Sequence, residues 1–163
     1  MDAAAAGLRI ERVPFSHPDA VWLTEEVQQE YVVRYGGRDD TPLSPTWFEA
    51  PAGAFFVGYL DDAPVVSGAW RRRTDVTFSG SRNSAEVKRM YVVASGRRRG
   101  LARRMLAHLE GTARAAGVDV MVLETGLRQP EAMALYESSG YVPIPGFGFY
   151  KDAPLSRCFA KRL

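Results

Sequence analysis

Leu8-Arg9-Ile10-Glu11-Arg12-Val13 alternates apolar and charged residues, the period of a strand with one buried face. The period then lengthens. Ser16-His17-Pro18-Asp19 has the spacing of a capped helix start with proline in the first turn, and Leu23, Val27 and Tyr31 follow at intervals of four. This predicts a helix from about Pro18 to Tyr35, stopped by Gly36-Gly37. Arg38 to Pro51 carries three prolines and two adjacent aspartates and reads as a loop with one helical turn near Thr46 to Glu49.

Two apolar runs, Ala54 to Leu60 and Val65 to Arg71, flank Asp61-Asp62-Ala63-Pro64 and predict an antiparallel hairpin. Thr74 to Ser84 is polar and irregular. Ala85 to Val93 is the next strand. A basic turn follows, then a helix to about Ala116 with Leu101, Met105, Leu109 and Ala113 on one face and Gly117 as its stop. Val118 to Thr125 is almost continuously apolar, as expected of a strand covered on both faces in a parallel pair. Pro130 to Ser138 predicts a short helix. The tail alternates glycine, proline and aromatics from Tyr141 to Tyr150 and closes with a strand from Arg157 to Leu163. Strand, helix, strand from Ala85 to Thr125 is a βαβ-type unit, so the whole is α+β around a mixed sheet. No repeat or linker divides residues 1–163, which read as a single domain.

Composition narrows the class. Hydrophobic residues at 46% and charged residues at 25% are ordinary for a soluble globular chain, and this length can bury about 70% of its unfolded surface without disulfides or metal. A net charge of +2 argues against generic nucleic-acid binding, although arginines bunch at 71 to 73, 97 to 99 and 103 to 104. One cysteine, Cys158, excludes an intrachain disulfide and fits a reducing cytoplasm; in an apolar strand it reads as core. Met1 to Gly7 lacks the charged and apolar regions of a signal peptide, and no apolar run reaches the roughly 18 residues of a membrane span. His17 and His108 are too isolated for a metal site; His17 reads as a helix cap. Ser67 and Ser156 have no neighbouring histidine, so a hydrolase triad has no support.

The basic turn carries the first chemistry. Arg97-Arg98-Arg99-Gly100-Leu101-Ala102 leads a strand into a helix whose first N–H groups are unpaired and whose dipole adds positive potential, so an anion such as phosphate is its natural ligand. A P-loop or dinucleotide site would explain this turn equally well, but the GxGxxG and GxxxxGK[ST] spacings are missing. Met90-Tyr91-Val92-Val93 followed by Arg97-x-x-Gly100-x-Ala102 resembles the acyl-CoA signature of the GNAT superfamily of N-acetyltransferases, whose pattern is Gln/Arg-x-x-Gly-x-Gly/Ala after a splayed strand. Gln129-x-x-Ala132-x-x-Leu135-Tyr136-Glu137-x-x-Gly140-Tyr141 is similar to the family's last helix and the strand after it. Departures are Gln129 for a frequent asparagine, Ala94 for proline and Ala102 for glycine.

The resemblance implies a GNAT-like mixed sheet of about seven strands flanked by about four helices, splayed between strands 4 and 5. It implies acetyl-CoA as acyl donor, with no metal. Its pyrophosphate would lie on the N–H groups of Arg98, Arg99, Gly100, Leu101 and Ala102, with Arg97 and Gln129 as further contacts. The main chain of Met90, Tyr91 and Val92 would pair with the pantetheine arm as an added strand. Tyr136 matches the family's general-acid tyrosine. Two glutamates compete for general base. Glu86, eleven positions before Arg97, looks like the base of the histone-acetylating branch; Glu124, twelve before Tyr136, looks like that of the branch acetylating a ribosomal protein's N-terminal alanine. Strand alternation puts Glu86 beside Lys88, where an ion pair would weaken it as a base, whereas Glu124 follows Val122-Leu123 in a buried strand that would raise its pKa. Glu124 therefore ranks first, with ordered water as the alternative to both.

The family's acceptor pocket maps here to Tyr31, Tyr35, Asp39, Asp40, Trp47 and Tyr141 to Tyr150. Aspartates would suit a cationic amine, but a polar loop accounts for them equally well. Arg71-Arg72-Arg73 reads as a strand running into solvent, or as a holder of the cofactor's 3′-phosphate or an acidic acceptor. The expected activity is transfer of acetyl to the primary amine of a small molecule: an amino acid, polyamine or amino sugar. A protein N-terminus or lysine is the rival of the same class, and a non-catalytic acyl-CoA sensor the rival of another. A homodimer through the closing strand's edge is expected, with no nucleic-acid or membrane partner.

Overall fold

A computed structural model describes residues 7–163; residues 1–6, the alanine-rich start read above as lacking a signal, lie outside it. The strands are β1 (Arg9–Val13), β2 (Gly53–Leu60), β3 (Ala63–Arg73), β4 (Ser84–Val92), β5 (Val120–Gly126), β6 (Val142–Ile144) and β7 (Ser156–Arg162). They form one seven-stranded sheet in the order β1-β2-β3-β4-β5-β7-β6, with only the β4 and β5 pair parallel. The α-helices among the described residues are α1 (Pro18–Tyr35), α2 (Leu101–Ala115) and α3 (Pro130–Ser138). That is three rather than about four: Pro45–Phe48, where one helical turn was expected, is a 3-10 helix, as is Ala94–Gly96. None of these helices is long and apolar enough to cross a membrane.

The hydrophobic patterns determine which faces are covered. Leu101, Met105, Leu106, Leu109 and Ala113 of α2 are buried. A side chain at Gly68 of β3 would meet Met105 and Leu109, and Trp70 Nε1 donates to Thr112 Oγ1 at 3.1 Å, so α2 covers that face of β3. Met121 and Leu123 of β5 join Tyr136 of α3 in this core. By alternation, Arg71 and Arg73 of β3 and, through its register with Glu86, Val122 of β5 point to the other face. A second cluster lies there: Val76, Val120, Val122, Phe147, Cys158 and Ala160. Tyr35, at the end of α1, covers Gly126 of β5 so closely that a Cβ there would lie 1.8 Å from its hydroxyl.

As expected, His17 caps α1: its Nδ1 accepts the Asp19 N–H at 3.1 Å, a bond any unprotonated ring nitrogen can make. The closing strand β7 is not an edge. It pairs with β5 along its whole length and with β6 through Cys158 to Ala160, so the edge expected to be free is covered at those three residues.

Candidate active site at the splay of the sheet

β4 and β5 pair only through Ser84, Ala85 and Glu86 against Val120, Met121 and Val122. Beyond Glu86 they part. β5 goes on pairing with β7 as far as Gly126, while β4 goes on pairing with β3 across a bulge at which two residues face one. Arg89 sits in this bulge with a left-handed φ of 54°, and such an insertion bends the strand and raises its twist. The result is a wedge between Val87 to Val92 on one side and Leu123 to Gly126 on the other. The Val93 N–H bonds the Val65 carbonyl on the β3 side, so alternation turns the Val92 N–H, and that of Met90, into the wedge.

The wedge leads to the basic turn. Gly100 caps α2 with φ 74° and open space where a Cβ would stand, and Arg98 is also left-handed at φ 63°. The first N–H groups of α2 therefore face outward, beside the exposed Arg98 and Arg99. Arg97 is otherwise engaged: its guanidinium pairs with Glu30 of α1, donates to the Val92 carbonyl at 3.2 Å and lies over the Tyr91 ring. An extended ligand ending in an anion fits this path, with backbone rather than Arg97 as the main donor.

Glu86 and Glu124 both face the side away from α2. Glu86 is 4% exposed, and its Oε1 accepts from Arg73 at 3.0 Å and Arg71 at 3.2 Å, while Lys88 stands 3.5 Å from Oε2. Three cations therefore surround it. Glu124 has no comparable partner. Burial, then the Glu86 charge, push its pKa up to about 7, with Asp39 adding and the Lys88 cation and Ser156 hydroxyl opposing. Glu124 lines two cavities on this face. One, about 420 Å³, is bounded by Tyr31, Tyr35, Asp39, Gln129, Tyr150 and Ser156; the other, about 240 Å³, by Trp47, Arg71, Arg73, Glu86, Lys88 and Phe149.

Four expected acceptor residues, Tyr31, Tyr35, Asp39 and Asp40, come together in the larger cavity. Asp39 is not a free counter-charge. Burial works to raise its pKa, but hydrogen bonds from the Thr41 N–H and hydroxyl and the Arg89 guanidinium at 3.0 Å outweigh it and hold it below the usual carboxylate range. The Asp40 N–H donates to the Tyr150 hydroxyl at 2.8 Å, which ties this loop to the tail above the cavity. Gln129 caps α3 without a side-chain capping bond; its Nε2 reaches the Tyr35 hydroxyl at 3.2 Å. Arg34 steadies that junction through Glu30, Glu131 and the Arg128 carbonyl.

Tyr136 is 6% exposed, on the inner face of α3, edge-on to Tyr141 at 5.8 Å. Burial raises its pKa, with the neighbouring Tyr31 adding, so the hydroxyl stays protonated across the neutral range. Burial likewise pushes Tyr31 up to about 12. His108, half-buried, packs against Phe56 with its pKa lowered by burial, and Cys158 is a buried free thiol of the second cluster whose pKa burial raises.

Several site residues escaped sequence reasoning. Arg89 and Ser156 carry buried polar atoms, Nε and Oγ, without a hydrogen-bond partner among the described residues, and both flank the larger cavity through Asp39 and Glu124. Arg71 and Arg73 are not a solvated strand end: their side chains are 17% and 10% exposed. Alternation between Arg71, Arg72 and Arg73 was the available signal, since it sends only Arg72 to the other face, where it bonds the Ala116 carbonyl.

Comparison with known proteins agrees with this geometry. The family model described as Acetyltransferase (GNAT) family matches residues 23–141. A curated relative, "IAA acetyltransferase" of Azospirillum brasilense, is 42% identical over 78 residues, 48% of this chain and 51% of that protein, so the match spans about half of its length. A solved structure described as a candidate acyl-CoA N-acyltransferase from Klebsiella pneumoniae superposes with a TM-score of 0.75 at 25% identity, covering 97% of this chain and 99% of that one. A GNAT acetyltransferase from Staphylococcus aureus Mu50 superposes at 0.72 with 16% identity, covering 95% and 99%. With a family model matching most of its length and a sheet splayed where that fold requires, this chain belongs to the GNAT family of acetyltransferases.

Proposed function

We propose that this protein transfers the acetyl group of acetyl-CoA to the primary amine of a small molecule, with Glu124 as general base and Tyr136 as general acid. One observation carries the proposal: Glu124, with a pKa pushed to about 7, stands where the wedge and both cavities meet. A carboxylate poised near neutrality can take a proton from an amine and remain a useful base. Met90 and Val92 would hold the pantetheine arm by main-chain hydrogen bonds, and the N–H groups of Arg98 to Ala102 would hold the pyrophosphate.

The amine nitrogen attacks the thioester carbon and the C–S bond breaks. Glu124 removes the proton that the nitrogen sheds, and Tyr136 supplies one to the departing sulfur. Glu86, already claimed by three cations, is a structural carboxylate in this scheme. The cavity above Glu124, roofed by the 38–41 loop and Tyr150, supports a small acceptor over a folded protein surface.

Thiol release from acetyl-CoA against a panel of primary amines tests the reading. Saturable, amine-dependent release is expected. Tight binding of acetyl-CoA without release for any amine would instead identify a sensor module.

A further inference from the structure

The smaller cavity is more basic than an amine site needs to be. Arg71, Arg73 and Lys88 line it together; they form ion pairs with Glu86 and, at Arg73, with Asp75, and Glu124 is the other carboxylate on its wall. Arg71 is bound to Glu86 only through Nε, and its guanidinium plane lies 4.0 Å over the Trp47 ring. Among the described residues its terminal nitrogens meet no acceptor, and Lys88 Nζ has Glu86 alone, at the long distance of 3.5 Å. Burial lowers the Arg71 pKa with Glu86 opposing, as for a cation whose counter-charge is incomplete. Trp47 and Phe149 supply apolar walls.

We propose that this cavity is a subsite for a carboxylate carried by the acceptor, bound by the free edge of Arg71 and by Lys88, so that the substrate is an amino acid rather than a polyamine or a neutral amino sugar. This rests on the reading of Glu124 as the base, because Glu124 borders both cavities and the amine must reach it while the carboxylate sits against Arg71. The cofactor's 3′-phosphate is the wrong occupant. Arg71 pairs with Glu86, six residues before Val92, which puts the cluster roughly 20 Å along β4 from the strand end that leads to the basic turn. A planar guanidinium with two open nitrogens matches a carboxylate, and the aromatic walls fit a side chain beside it.

The test compares L-amino acids with their carboxamides, which keep the amine and lose the charge. Thiol release gives rates, and quenching of Trp47 fluorescence by the N-acetylated acids and their amides gives binding without turnover, with Trp47→Phe as the control for the signal. The acids should be preferred by about 30-fold in kcat/KM and in binding, the worth of one or two charge-assisted hydrogen bonds. Arg71→Gln should cut that ratio to about threefold, with Arg71→Lys retaining part of it. Lys88→Gln, which removes the weakest contact to Glu86, should lower the ratio even if Arg71→Gln folds poorly. Equal binding and equal rates for acid and amide would overturn the subsite while leaving the transferase reading intact. Acid-selective binding lost in the variants, with no thiol released from any amine, would keep the subsite and remove the catalytic reading.

Discussion

Glu86 and Glu124 occupy one face of one sheet, on neighbouring strands, and differ in almost everything else. Glu86 lies where β4 and β5 still pair, and β3 alongside brings Arg71 and Arg73 onto it. Glu124 lies two residues past the last pair, in the wedge, where its neighbours are cavities, a hydroxyl, other carboxylates and, as the one cation acting on it among the described residues, Lys88. Loss of strand pairing opens space for a substrate and leaves Glu124 without the arginines that pair with Glu86. In the proposed mechanism, the divergence that admits the donor is also what sets the base.

The sharpest break of this contrast is Glu124→Gln. It should lower kcat/KM by about 1,000-fold and abolish the limb of the wild-type profile in which rate rises with pH through about 7, because the base works only when deprotonated. A surviving limb that vanishes in Glu86→Gln would reverse the two roles. Glu86→Gln should act on the fold instead, leaving three partly buried cations short of their carboxylate. A loss of about 3 kcal/mol, read as a fall of about 8 °C in Tm, is expected. Tyr136→Phe should cost about 30-fold in kcat with little change in acetyl-CoA affinity, since the lost proton donor acts in the transition state; an unchanged kcat would end its assignment as the acid.

The smallest effect runs opposite to Glu86→Gln. The pKa of Glu124 is raised from 4.5 to about 7 in the folded chain, so the fold favours its protonated form and its ionisation costs stability as pH rises through that window. Glu124→Gln should therefore raise Tm by a few degrees at pH 8 and leave it nearly level at pH 4; thermal melts at the two pH values check the sign, and an equal shift at both would refute the linkage.

Legibility followed the range of the interactions. The hairpin, the α2 stripe and its Gly100 and Gly117 ends were visible because periodicity and glycine punctuation are local. So was the Glu86 and Lys88 pair, two residues apart on one strand face. The Asp39 and Arg89 pair was not, because its members are fifty residues apart and Arg89 reaches Asp39 from a bulge that no residue pattern announces. Arg71 to Arg73 misled for the same reason. A basic run at the end of a strand resembles a solvated end until β4 supplies the buried carboxylate that two of the three bind.

The sequence by itself pointed to an anion at the turn, since unpaired N–H groups at a glycine-capped helix start follow from chain chemistry. It also ranked Glu124 above Glu86 from strand burial and alternation. Only the tertiary structure decided where the sheet opens, which charges are already spent and which remain. Those depend on the register of strands distant in the chain, and electrostatics is set by neighbours in space.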